Sequence, residues 1–211
     1  MIPAAGLPRI CLITDGAERD LAVIIGLVAA GARWFQLRAK GVPDRELFAR
    51  AVRLRERLAR GDVLFSVNDR ADLAAACGAA GLHLGQDDLP IEDARRLLPK
   101  ACIGVSVHDG REAGAAAGAD YVGTGALFPT STKGDARVLN RKRLREVQSA
   151  YAGPVVAIGG ITPANAAQLA PLGIRHVAVA SAVFAAPDPL AAYCSIAAQL
   201  IPPPADATEG D

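Results

Sequence analysis

Aromatic side chains are scarce: one Trp, three Tyr and five Phe among 211 residues. A surface that stacks nucleic-acid bases needs more of them. Charge of one sign is lacking too. With 23 Lys and Arg against 22 Asp and Glu, the net charge is +1, which leaves no electrostatic footprint for nucleic acid or an anionic membrane. No apolar run approaches the ~20 residues that a membrane-spanning helix needs. The opening stretch, MIPAAGLPRICLITDG, lacks a charged segment followed by an apolar one. No secretory signal is read there, and a cytoplasmic protein is expected. Cys11, Cys77, Cys102 and Cys194 contain no C-x-x-C pair, which points to buried free thiols in a reducing compartment. His83, His108 and His176 have no metal-ligand spacing, which speaks against zinc.

What is present is a repeated alternation. Eight short apolar runs read as strands: RICLITD from Arg9, WFQLR from Trp34, VLFSVND from Val63, GLHLG from Gly81, CIGVSV from Cys102, YVGTGAL from Tyr121, VVAIGG from Val155 and HVAVAS from His176. Most are continuously apolar, as parallel strands covered on both faces must be. Helical segments lie between them. The clearest, Pro43 to about Arg60, places Leu47, Ala51, Leu54 and Leu58 on one face and Glu46, Arg50, Arg53 and Arg57 on the solvated remainder. Asp109 with Glu112 resembles a capping box, and Thr162-Pro163 and Asp188-Pro189 read as helix starts. Gly31, Gly61, Gly81 and Gly173 read as helix stops.

Eight such units predict a single α/β domain, a (β/α)8 TIM barrel over residues 1–201, with a disordered tail over 202–211. A Rossmann sheet needs G-x-G-x-x-G after its first strand, and Thr14-Asp15-Gly16-Ala17 is not that.

In this fold chemistry gathers where strands end. Those positions carry Gln36, Arg38 and Lys40, then Asn68 and Asp69, Asp88, Ser106 and His108, the loop with Thr130, Ser131, Thr132 and Lys133, Gly159-Gly160, and Ser181. The third and fourth strands are neighbours about 5 Å apart, so Asp69 and Asp88 can share one volume. Two carboxylates with room for water and phosphate oxygens suit Mg²⁺, and Arg38, Lys40 and Lys133 complete a diphosphate clamp. The plainer alternative makes Asp69 a helix cap and Asp88 a loop residue ahead of Pro90. Gly159-Gly160, followed by a helix from Thr162, lets backbone N–H groups approach a second phosphate, with Ser181 beside it. Two unlike anion sites on one rim suggest two phosphorylated substrates, or one with two phosphate ends.

QLRAK (36–40), NDRADLA (68–74), GLHLGQDDLP (81–90), GVSVH (104–108), FPTSTK (128–133), VVAIGGI (155–161) and VAVASA (177–182) together resemble the thiamine phosphate synthase family. The resemblance runs from about Arg9 to Ile201. It implies a transferase of thiamine biosynthesis that joins 4-amino-2-methyl-5-pyrimidinylmethyl diphosphate to a 4-methyl-5-hydroxyethylthiazole phosphate and releases diphosphate. It implies that Gln36, Arg38, Lys40, Asn68 and Lys133 bind the pyrimidine diphosphate, and that Asp69 and Asp88 hold Mg²⁺. Ser106 then lies beside the pyrimidine, and Thr130, Thr132, Gly160, Ala180 and Ser181 bind the thiazole phosphate. Lys133, Ser106 and Arg38 are the residues assigned to catalysis. C–O cleavage is expected to precede attack, so positioning and charge stabilisation replace a protein nucleophile.

Ala126 and Ala39 depart from the family's usual Gly-Pro and acidic residues, which bears on loop shape. Two alternatives stay open. A related thiazole tautomerase needs a histidine, and His108 is the candidate. A non-catalytic sensor of thiamine phosphates needs no metal pair. Self-association is left open as well.

Overall fold

The computed structural model of the chain describes residues 6–59, 62–129 and 139–200. Eight parallel strands close into a barrel in sequence order: β1 (Ile10–Thr14), β2 (Trp34–Leu37), β3 (Leu64–Asn68), β4 (Gly81–Leu84), β5 (Cys102–Ser106), β6 (Tyr121–Gly125), β7 (Val155–Ile158) and β8 (His176–Val179). β1 pairs with both β2 and β8, so the sheet has no edge. Each expected strand is present. The helices are α1 (Glu18–Ala29), α2 (Asp44–Leu58), α3 (Ala71–Cys77), α4 (Ile91–Leu97), α5 (Gly110–Ala115), α6 (Arg141–Ala150), α7 (Ser181–Phe184) and α8 (Pro189–Gln199). Among the described residues no helix is long and apolar enough to cross a membrane. The expected tail over 202–211 and Gly61 lie outside the described residues.

The main core lies between strands and helices. α2 buries Leu47, Ala51, Leu54 and Leu58 against the barrel, as its periodicity predicts. Each fully buried Leu there is worth about 1.5–3 kcal/mol. Its outer face carries the Arg50–Glu46 pair at 3.0 Å, while Arg50 Nη1 reaches inward to the Asp15 carbonyl at 3.0 Å and ties α2 to the end of β1. Asp188 Oδ1 accepts from Ala191 N and caps α8 behind Pro189. Asp109 Oδ1 accepts from Glu112 N, but the Glu112 carboxylate turns to the backbone N–H of His108.

Two expectations about helix ends are corrected. Gly81 opens β4 and ends no helix; Gly78, at φ 70°, closes α3. After β7 the chain forms two short 3₁₀ turns, Ala166–Gln168 and Ala170–Leu172, where an α-helix from Thr162 was expected. Pro171 has no N–H to return to Ala167, so a continuous α-helix loses a bond and meets a steric clash there.

The barrel interior has two levels. The lower one is a plug of Leu7, Cys11, Trp34, Leu64, Cys102 and Tyr121 with Val156 and Ala178. Cys11, Cys77 and Cys102 are buried free thiols, whereas Cys194 is exposed on α8, contrary to expectation. The exposed face of an outer helix is where a small side chain is least constrained. Above the plug the interior opens.

Candidate active site

The upper level is a cup holding about 350 Å³ of open space, solvent mouth included. Gln36, His83, Ser106, Ile13 and Ile158 line it, and Trp34 and Tyr121 form part of its floor. It faces the C-terminal ends of the strands. Parallel strands alternate their side chains in and out, so Gln36 is carried inward two residues above Trp34, and Ser106 two above Gly104. Gln36 is buried at 4% exposure.

Arg38 follows β2 directly, anchored by its backbone N–H to the Thr14 carbonyl at 2.8 Å; Lys40 is exposed two residues on. Asn68 ends β3 in register with His83. Asp69 then adopts φ 65°, and its N–H donates to the His83 carbonyl at 2.7 Å. It does not cap α3, whose N-cap position is Arg70 with no side-chain bond. Asp88 does not cap α4 either. Its Oδ2 accepts from Gly85 N at 2.6 Å and folds the loop after β4 back on itself. The two carboxyls meet across the β3–β4 boundary. Burial first, and then the Asp88 carboxyl, raise the pKa of Asp69, while Lys40 and Arg38 pull it down. The described residues contain no cluster of three or more metal-type ligands. A pair of carboxylates is a fit for Mg²⁺, which keeps waters and takes substrate phosphate oxygens as its other ligands.

Across the barrel, Gly160 follows β7 at φ 65°. Asn165 holds this corner: its Nδ2 donates to the Gly160 carbonyl and its Oδ1 accepts from Thr162 N, both at 2.8 Å. Ala180 sits at the N-cap position of α7 and Ser181 begins it. Thus Gly160, Ala180 and Ser181 come from the adjacent ends of β7 and β8. Thr130, Ser131, Thr132 and Lys133 lie outside the described residues.

Sequence reasoning missed His83. Its Nδ1 lies 3.0 Å from the Tyr121 hydroxyl and its Nε2 2.9 Å from Ser106 Oγ. Burial, then Arg38, lower its pKa to about 4, with Asp88 opposing, so the ring is neutral at pH 7. The signal was the alternation within GLHLG, which turns His83 to the same side as the inward residues of its neighbours. His108, the histidine singled out from the sequence, is instead 57% exposed and paired with Glu112 at 2.8 Å. It lies outside the cup, because it follows the end of β5 and turns with the first residues leading to α5.

A family model described as thiamine monophosphate synthase matches residues 10–183. A thiamine-phosphate synthase of Pyrococcus furiosus is 44% identical over 183 residues, covering 85% of this chain and 88% of that protein. Another, of Chloroflexus aurantiacus, is 42% identical over 191 residues, covering 87% and 88%. The solved structure of a thiamine phosphate pyrophosphorylase from Pyrococcus furiosus superposes with a TM-score of 0.80 at 36% identity, covering 90% of this chain and 94% of that one. The barrel, its polar cup and a match over most of its length place the chain in the thiamine monophosphate synthase family.

Proposed function

We propose that the chain joins 4-amino-2-methyl-5-pyrimidinylmethyl diphosphate to 4-methyl-5-(2-phosphooxyethyl)thiazole, giving thiamine phosphate and diphosphate. It is a transferase of thiamine biosynthesis. The cup takes the pyrimidine ring, with Gln36, Asn68 and Ser106 on its polar edge. Arg38 and Lys40 after β2 bind the diphosphate, with Lys133, which follows β6 in the sequence, joining them. Gly160, Ala180 and Ser181 hold the thiazole phosphate at the opposite side of the rim, with Thr130 and Thr132.

The observation that carries the metal-assisted half of this reading is Asp69. A non-glycine residue at φ 65° costs about 1–2 kcal/mol and is kept where the surrounding structure enforces it. Here it sets one carboxylate against another, and burial first, then the Asp88 carboxyl, raise its proton affinity. Asp69 and Asp88 would hold Mg²⁺, which when bound would supply positive charge against the diphosphate.

The chain's own groups do the rest. The guanidinium of Arg38 and the ammonium of Lys40 stabilise the leaving diphosphate. The aminopyrimidine donates electrons into the breaking bond, and the thiazole nitrogen captures the resulting pyrimidinylmethyl cation. The cup holds the two rings for that capture, which removes the entropy of bringing them together. No protein nucleophile is involved.

Purified protein supplied with both substrates and Mg²⁺ is expected to form thiamine phosphate and one equivalent of diphosphate. Turnover of a thiazole carboxylate phosphate tautomer without condensation would overturn the reading in favour of a tautomerase.

A further inference from the structure

We infer that Tyr121 is a positioning residue whose buried hydroxyl fixes the tautomer of His83 and so makes Ser106 a hydrogen-bond donor toward the cup.

Three adjacent strands supply this chain of groups: β4 gives His83, β5 Ser106 and β6 Tyr121. Two glycines make room for it. Gly104 is the register partner of Tyr121, and a Cβ there would lie 2.0 Å from Tyr121 Cζ. A Cβ on Gly123 would come 3.0 Å from His83 Cε1. The Tyr121 ring is further held edge-on against Trp34, centroids 4.9 Å apart, and parallel to His83 at 5.6 Å. Its position is therefore set by packing, independent of its hydroxyl.

The direction of the hydrogen bonds follows from what each group can do. Tyr121 is 2% exposed, in a floor of Cys11, Cys102 and Trp34. Among the described residues, His83 Nδ1 is the hydrogen-bond partner of its hydroxyl. A buried O–H without an acceptor is costly, so the phenol donates to Nδ1. Nε2 then carries the ring hydrogen and donates to Ser106 Oγ at 2.9 Å. Ser106 accepts with one lone pair, leaving its own hydrogen and the second lone pair for the cup that it lines. In the opposite tautomer the Ser106 hydrogen is used on Nε2 and the phenol hydrogen is stranded.

The consequence rests on the substrate reading given above. An aminopyrimidine edge presents a ring-nitrogen acceptor beside an amine donor. A hydroxyl that offers both a hydrogen and a lone pair matches that edge; one that offers lone pairs alone does not.

The test pairs a nitrogen signature with kinetics. In protein labelled with ¹⁵N-histidine at pH 7, the His83 signals (identified by their loss in His83→Gln) are expected to show Nδ1 bare and Nε2 protonated. Tyr121→Phe keeps the ring and removes the hydroxyl. It is expected to shift both His83 nitrogens toward a tautomer mixture. It should also lower kcat/KM for the pyrimidine diphosphate about tenfold or more, the size of one lost charge-free hydrogen bond in a dry site, with KM for the thiazole phosphate held within about twofold. In a Ser106→Ala background the same change should have little further effect, because Tyr121 acts through Ser106. A protonated Nδ1 in the parent, unshifted nitrogens in Tyr121→Phe, or fully additive losses would overturn the inference. Protein that makes no thiamine phosphate but shows the expected nitrogen pattern would overturn the substrate reading while upholding the tautomer.

Discussion

The ring of Tyr121 occupies the space that a side chain on Gly104 would fill, with a Cβ placed there 2.0 Å from Cζ. The two residues are register partners on β6 and β5, so neither backbone can retreat without breaking the ladder. Gly104→Ala is therefore expected to destabilise the barrel by at least about 3 kcal/mol, the upper end for overpacking a rigid core. For a chain of this size that lowers the melting temperature by roughly 6–12 °C. A thermal melt indistinguishable from the parent's would show that the ring is free to move.

Asp69 and Asp88 are expected to act as a pair toward Mg²⁺. Changing either to Asn removes a negative charge while keeping the shape. Either variant should raise the Mg²⁺ concentration for half-maximal activity about tenfold or more. Activity lost on adding EDTA should return with Mg²⁺ in the parent. An unchanged Mg²⁺ dependence in both variants would remove these residues from the metal's coordination.

Asp20, in the first turn of α1, is buried at 2% exposure and accepts the Thr14 hydroxyl at 2.6 Å. Its other oxygen, Oδ1, makes no hydrogen bond among the described residues and faces the exposed Arg19 guanidinium, Nε at 3.4 Å. Burial raises its pKa from the ordinary 3.8, with the Thr14 bond opposing. A carboxyl whose folded pKa is raised binds its proton more tightly in the folded state. Stability is then lost as pH rises through the interval between 3.8 and the raised value. Asp20→Asn should gain on the parent at pH 8, and the gain should shrink toward pH 4. Denaturant melts at the two pH values measure it; a gain that grows on acidification would contradict the assignment.

Gly160 sits at φ 65° with no room for a side chain: a Cβ would lie 2.4 Å from the Pro129 carbonyl oxygen. Gly160→Ala must displace that backbone or abandon the left-handed conformation, at a cost of about 1–2 kcal/mol or more. KM for the thiazole phosphate should rise about tenfold, since 1.4 kcal/mol is one decade in affinity. KM for the pyrimidine diphosphate, bound across the barrel, should stay close to the parent's. Equal increases in both would mean that the two anion sites are not separate.

Much of this was legible in one dimension. Runs such as VLFSVND and VVAIGG are apolar on both faces, and a parallel strand between helices is the arrangement that buries them so. The rim residues follow from the barrel rule that strands end at the chemistry, which is why Gln36, Arg38, Asn68, Asp69, Asp88, Ser106 and Gly160 fall at strand ends. The 3₁₀ turns after β7 depart from the helix that Thr162-Pro163 signals, because Pro171 further along cannot continue an α-helix.

Local sequence determined the elements, their order and which residues stand at their ends, because hydrophobic period, proline and capping chemistry act within a few residues. It did not determine which interior side chains touch. His83 and Tyr121 are 38 residues apart, and Ser106 lies 23 from His83. They meet because closing the barrel sets the stagger of β4, β5 and β6, and because glycines at 104 and 123 leave the volume that the two rings fill. The same closure turned Asp69 toward Asp88 and left His108 outside. Contacts of that range depend on register, and register is a property of the closed sheet.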